Sequence, residues 1–168
     1  LPYIDSVPSS SEPLRYPRLS YQECADLAAA DFRRAADLLP VDWDNTTTGK
    51  PTFGNNQQRI NKIMALGYLG KNYLWAGSPL MNYATNGSKT YNADYCKKAA
   101  EAFAELLKLV DAGQTQYDLV DFAHYSDIFY SFKQNSKNPG STEAIFQTPM
   151  YDWWMGSGWS LGPQFVPS

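Results

Sequence analysis

Trp153, Trp154 and Trp159 stand close together on the segment Tyr151-Asp152-Trp153-Trp154-Met155-Gly156-Ser157-Gly158-Trp159. An indole has a flat apolar face that stacks on the C–H side of a pyranose, while amides and carboxylates bind the ring's hydroxyls. With Asp152 beside them, and Asn82 and Asn86 from an Asn-rich stretch earlier in the chain, these residues predict a sugar site built on loops. The competing reading makes the indoles core or interface plugs. For Trp75, in a helical pattern, and Trp43, in a polar loop, the core is the favoured expectation.

Other chemistries find fewer residues. His124 is the only histidine, and no Gly-x-Ser-x-Gly elbow surrounds any serine, so a structural or surface role is expected for it. Asp118, Asp121 and Asp127 read as solvated loop carboxylates, since a glycosidase acid and base are defined by their separation across a sugar and not by spacing in sequence. Asp42, Asp44 and Asn45 resemble half of a calcium loop but lack its glycine and distal glutamate. Gly67-x-x-Gly70 lies in a helical pattern and cannot cradle a phosphate. No cofactor or metal is expected. Cys24 and Cys96 fall at core-type helix positions without C-x-x-C spacing, and buried free thiols are favoured over a disulfide.

The composition agrees with stacking and neutral hydrogen bonding. Aromatic residues make up 15% of the chain, with five Trp and twelve Tyr, against 18% charged residues. A net charge of −3 with dispersed Lys and Arg removes the electrostatic footprint of a nucleic-acid partner. No apolar run is long enough to span a bilayer. The chain starts at Leu1 without a methionine and stops at Ser168 in irregular sequence, so it is expected to be the central part of a larger protein.

Three helices must position these residues. Pro2, Pro8, Pro13 and Pro17 make residues 1–19 an extended connector. Ser20-Tyr21-Gln22-Glu23 is a capping box opening a helix that carries Cys24, Leu27, Ala28, Phe32, Ala35 and Leu39 at helical spacing before Pro40. A polar loop over residues 41–55 follows. The second helix is expected from Gln57 to Ala76, with Gly67 and Gly70 marking close approach of a neighbouring helix. Gly77-Ser78-Pro79 ends it, and an Asn- and Tyr-rich loop leads to a third helix from Ala93 to Asp111, stopped by Gly113. Residues 114–168 read as irregular, with a possible short strand at Glu143–Gln147.

Leu69-Gly70-x-x-Tyr73 and Ala99-x-x-x-Phe103 echo the tetratricopeptide pattern of paired helices. More specific is an ordered series: Leu1-Pro2-Tyr3-Ile4-Asp5; Arg18-Leu19-Ser20-Tyr21-Gln22-Glu23; Asp37-Leu38-Leu39-Pro40; Arg59 through Leu74; the helix from Ala99 to Gly113; and Glu143-Ala144-Ile145-Phe146. Over essentially the whole chain this order resembles the SusD/RagB family of outer-membrane nutrient-binding lipoproteins. The resemblance implies a mainly α fold, with tetratricopeptide-like helical hairpins over residues 20–113, long irregular loops and little or no strand. Residues 114–168 would then begin the ligand-binding half. It implies a non-catalytic bacterial cell-surface receptor that captures oligo- or polysaccharide and delivers it to a SusC-like TonB-dependent transporter. An upstream lipid anchor, distinct from Cys24, would hold it to the outer membrane. A peptide-binding RagB-type receptor on the same scaffold is the first alternative and a helical glycoside-processing enzyme fragment the second. Glycan-contacting residues vary within the family, so the site residues named above rest on their local chemistry.

Overall fold

The computed structural model describes residues 3–5, 7–11, 15–54, 56, 59–126 and 143–146. Among these the fold is mainly helical and contains no strand. The first helix, α1 (Tyr21–Leu38), starts where the sequence places it. The Ser20 hydroxyl accepts the Glu23 amide at 3.2 Å and the Glu23 carboxylate accepts the Ser20 amide at 2.8 Å, closing the capping box. Such a cap is worth about 1 kcal/mol. Leu39 turns to extended geometry because Pro40 disfavours a helical residue before it.

The second helix, α2 (Lys62–Ala76), begins later than the expected Gln57. The Arg59 amide closes a turn on the Asn56 carbonyl, and the Ile60 carbonyl accepts the Trp43 indole N–H at 2.8 Å. Backbone groups before Lys62 therefore serve the preceding loop. The expected Asn-rich loop also contains a helix, α3 (Pro79–Asn86), with Ser78 as its N-cap, Pro79 in its first turn and Gly87 (φ +79°) in left-handed geometry at its end. Proline at this position costs nothing, because the first amides of a helix have no intrahelical partner. The fourth helix, α4 (Ala93–Asp111), matches its expected bounds. The Asn92 side chain accepts the amides of Asp94 and Tyr95 and so caps it.

The chain forms two compact units, which interleave in sequence: residues 1–39 with 62–109, and residues 40–61 with 110–168. In the first, side-chain register fixes helix direction. Gln22 reaches the Ala76 carbonyl, Asn72 the Ala25 carbonyl at 2.8 Å, and Phe32 stacks on Tyr68 at 5.8 Å, so α1 and α2 are antiparallel. Gly77 lies against Cys96, Gly70 against Phe103 and Gly67 towards Leu106, so α2 and α4 are antiparallel as well. Asp26 meets Lys98 and Arg33 meets Glu105, which makes α1 and α4 parallel. The core places Ala25, Ala29 and Ala36 of α1 and Ala99, Ala102 and Leu106 of α4 with Ile63, Met64, Leu66 and Leu69 of α2. Alanines on the outer helices let the larger α2 side chains fill the space between them, each worth about 1.5–3 kcal/mol when fully buried.

The two helical glycines behave differently. A Cβ on Gly70 would sit 2.5 Å from the Phe103 ring, which is the close approach expected. One on Gly67 would meet only Leu106 Cδ1, at 3.9 Å, so that glycine is not required by packing. Trp75 corrects the expectation of a core indole, being 48% exposed. It lies about two and a half turns beyond buried Leu66 and so faces away from the core.

In the second unit, Tyr117 is the buried centre. Its hydroxyl accepts from Asn61 Nδ2 and donates to the Ile145 carbonyl, both at 3.2 Å, and the Glu143 carboxylate takes the Val120 amide at 2.9 Å. Burial pushes the Tyr117 phenol up. Glu143–Phe146 thus packs through single side-chain and carbonyl contacts and forms no strand, while Gln147 lies outside the described residues.

Candidate functional site

The loop of residues 40–61 is built by side chains that replace a regular backbone ladder. The Asp42 carboxylate accepts the Asp44 amide (2.9 Å) and Asn45 Nδ2 (3.3 Å), starting a 3₁₀ turn over Trp43–Asn45. The Trp43 carbonyl then takes both the amide and the hydroxyl of Thr46, at 3.0 and 2.7 Å. Gly49 follows with its Cα against that same carbonyl, where any side chain would collide with it. A second 3₁₀ turn, Lys50–Thr52, leads to Gly54, whose amide faces the Asp44 carboxylate at 3.2 Å.

Asn56 closes the loop. It is 4% exposed; Nδ2 reaches the Asp44 carboxylate, the Gly49 carbonyl (2.9 Å) and the Thr52 carbonyl (3.1 Å). Its Oδ1 accepts the Thr52 hydroxyl at 2.7 Å and Arg59 Nη1 at 3.2 Å. A buried polar side chain is tolerated because both its donors and its acceptor are satisfied. Asp42 and Asp44, whose sequence only resembles half of a calcium loop, direct their carboxylates to N–H groups of the loop itself.

This framework holds three large side chains at the surface. Trp43 is half-buried, fixed by its indole bond to Ile60. Phe53 is 70% exposed. The Arg59 guanidinium lies 4.1 Å over the Trp43 ring. The exposed phenyl ring offers a free stacking face, while one face of the fixed indole carries the guanidinium; a flat apolar surface on a polar loop is the chemistry a sugar requires. Phe53 stands among the turn formers Pro51, Thr52 and Gly54, where a large apolar residue has no core role to fill, and that was its signal in the sequence. Arg59 was hidden by its apparent membership of the second helix.

Of the residues the sequence nominated, Trp153, Trp154, Trp159 and Asp152 lie outside the described residues. Asn82 and Asn86 do not share a role. Asn82 is buried at 2% exposure and its amide is occupied within the fold, accepting from Gln22 Nε2 at 2.6 Å and donating to the Thr90 carbonyl at 2.8 Å and the Gly77 carbonyl at 3.3 Å. Asn86 is exposed at the end of α3, where its Oδ1 takes the Ser88 amide at 2.9 Å. Near it Tyr83 is exposed beneath Lys89, with Nζ 5.6 Å from the ring centroid, and Tyr91 is exposed just beyond Thr90. Cys24 and Cys96 are free, half-buried thiols. His124 is exposed at the end of a short 3₁₀ turn, Phe122–His124, and Asp118 and Asp121 are exposed beside it.

Polar clusters on the helices have structural explanations. Arg33 pairs with Asp37 and Glu105, both at 2.6 Å, which holds the Glu105 carboxyl below and the Arg33 guanidinium above their ordinary values. The Tyr95 phenol, partly desolvated and donating to Asp26 at 2.8 Å, is pushed up to about 12. No family model, no curated protein and no solved structure matches this chain.

Proposed function

We propose that this chain belongs to a SusD/RagB-type receptor on the bacterial cell surface. It captures an oligo- or polysaccharide without cleaving it and delivers it to a SusC-like TonB-dependent transporter, held at the outer membrane by a lipid anchor. The observation that carries the reading is the placement of the ordered sequence series. Its segments around Ser20, Asp37, Arg59 and Ala99 lie at or within α1, α2 and α4, and α2 runs antiparallel to the other two, which supports a hairpin scaffold of the tetratricopeptide-like kind. The loop between α1 and α2 supports the binding half of the proposal, because it fixes an indole and exposes a phenyl ring among amides and hydroxyls.

Affinity electrophoresis of the chain through gels containing single polysaccharides tests this. Retardation on at least one glycan, with no new reducing ends after prolonged incubation, is the expected result. Free migration on every glycan, together with calorimetric binding of oligopeptides, would assign the scaffold to a peptide receptor instead. Release of reducing ends that a single Asp substitution abolishes would make it an enzyme.

A further inference from the structure

We propose that Arg59, stacked on Trp43 and oriented by Asn56, is an oxyanion-recognition point, and that the glycan taken by this loop is acidic, carrying a carboxylate or a sulfate ester. This rests on the glycan reading above and names the ligand class for the same loop.

The two arginines at the centres of side-chain clusters show what distinguishes Arg59. Arg33 is neutralised by Asp37 and Glu105. Arg59 is exposed, and among the described residues its side chain has two partners, neither of them a carboxylate: Asn56 Oδ1 at 3.2 Å and the Trp43 ring at 4.1 Å. Both partners orient it. Trp43 is fixed by its bond to the Ile60 carbonyl, and the Arg59 backbone is held by its amide bond to Asn56. Asn56 itself is buried and fully engaged. A guanidinium carries N–H donors in a planar fork, and one Nη1 bond leaves the rest of the fork to solvent. A long side chain normally gives up rotamer freedom when it binds; this one is already ordered by stacking, which lowers that cost.

The nearby negative charges do not cancel it. Asp42 and Asp44 accept N–H groups from the loop. Asp44 also lies on the opposite side of the Asn56 amide, which turns its NH₂ to Asp44 and its oxygen to Arg59. Asn56 therefore separates the two charges and aligns its own dipole to hold the guanidinium. An ordered cation on the same loop as an exposed Phe53 matches a ligand with an apolar face and an anionic edge, which describes a uronic acid or a sulfated hexose.

Calorimetry on the full chain tests the inference with four probes: polygalacturonate, its fully methyl-esterified form, a neutral galactan and a sulfated galactan. Binding should favour an anionic probe over its neutral counterpart by about tenfold or more, and that preference should shrink as salt is raised. The methyl ester removes the charge without altering the protein. Arg59→Gln should erase the preference, and Arg59→Lys, which keeps the charge but loses the fork, should restore only part of it. Preference for polygalacturonate identifies a carboxylate, and preference for the sulfated galactan a sulfate ester. Equal affinity for neutral and anionic probes, or an anionic preference that survives Arg59→Gln, overturns the inference and leaves the glycan reading standing. No binding to any glycan overturns both.

Discussion

Replacing Asn82 by alanine separates a structural role from a ligand-contacting one. The side chain is 2% exposed and joins the start of α1, the end of α2 and the segment returning from α3 through Gln22, Gly77 and Thr90. Truncation leaves the half-buried Gln22 amide and two carbonyls without this partner. At about 1 kcal/mol net per hydrogen bond, with the 3.3 Å contact counting least, the loss is about 2–3 kcal/mol. For a chain of this size that lowers the thermal midpoint by roughly 5–10 °C. Thermal and urea unfolding followed by far-ultraviolet circular dichroism read the effect directly, and the affinity for any bound glycan, measured below the transition, should not change. A midpoint within about 1 °C of the parent would refute the reasoning, since that is less than the shift expected from a single buried hydrogen bond. So would a loss of glycan affinity at unchanged stability.

The two helical glycines should respond in opposite directions. Gly70→Ala gains about 1 kcal/mol of helix propensity but forces the Phe103 ring to move, for a net loss of about 1–2 kcal/mol. Gly67→Ala meets only ordinary contact and should gain up to about 1 kcal/mol, so urea midpoints moving the same way would contradict the α2–α4 packing. The hydrogen bond to Arg33 holds Glu105 below the ordinary 4.5, so its contribution is present above that value and is lost as pH falls through the lowered one. Both side chains are more than a third exposed, which limits the effect to under about 1 kcal/mol. Glu105→Gln should flatten the acid limb of the stability curve, and an unchanged limb would contradict the pairing. The Tyr95 phenol is raised to about 12, so its contribution is present below the ordinary 10 and is lost as pH rises through about 12. Ultraviolet difference titration should show a late-ionising phase that Tyr95→Phe diminishes, and full ionisation of all tyrosines near 10 would contradict the Asp26 contact.

Local signals with strong physics were legible in the sequence. α1 and α4 match their expected bounds because a capping box, a proline and a left-handed glycine act within one turn of the chain. The start of α2 was not legible, since Gln57 to Asn61 suit a helix by composition, whereas the Ile60 carbonyl is taken by Trp43, distant in sequence, and the Arg59 amide closes a turn on Asn56. α3 was hidden because Asn and Tyr are common in loops, although Ser78 followed by Pro79 is a helix-start signal. Trp75 misled because large apolar residues usually fill cores, and its place on the outer face of α2 follows only once Leu66 and Leu69 are known to point inward. At the candidate site, Trp43 read as a core residue in the sequence but is only half-buried, and Arg59 acquires meaning only through the ring beneath it. Asn82 shows the converse: an amide suited to a hydroxyl is equally suited to Gln22 and two carbonyls.

The most direct measurement of the central claim is calorimetric titration of the chain and its Phe53→Ala variant with the glycan that retards the parent most strongly in affinity gels. Phe53 is 70% exposed, so its removal should leave the unfolding midpoint nearly unchanged. The account predicts binding by the parent and a loss of about fivefold or more in the variant, from stacking worth about 1 kcal/mol. Equal affinities for the two proteins would show that the loop between α1 and α2 is not the glycan site, and absence of binding by the parent to every glycan tried would contradict the receptor assignment itself.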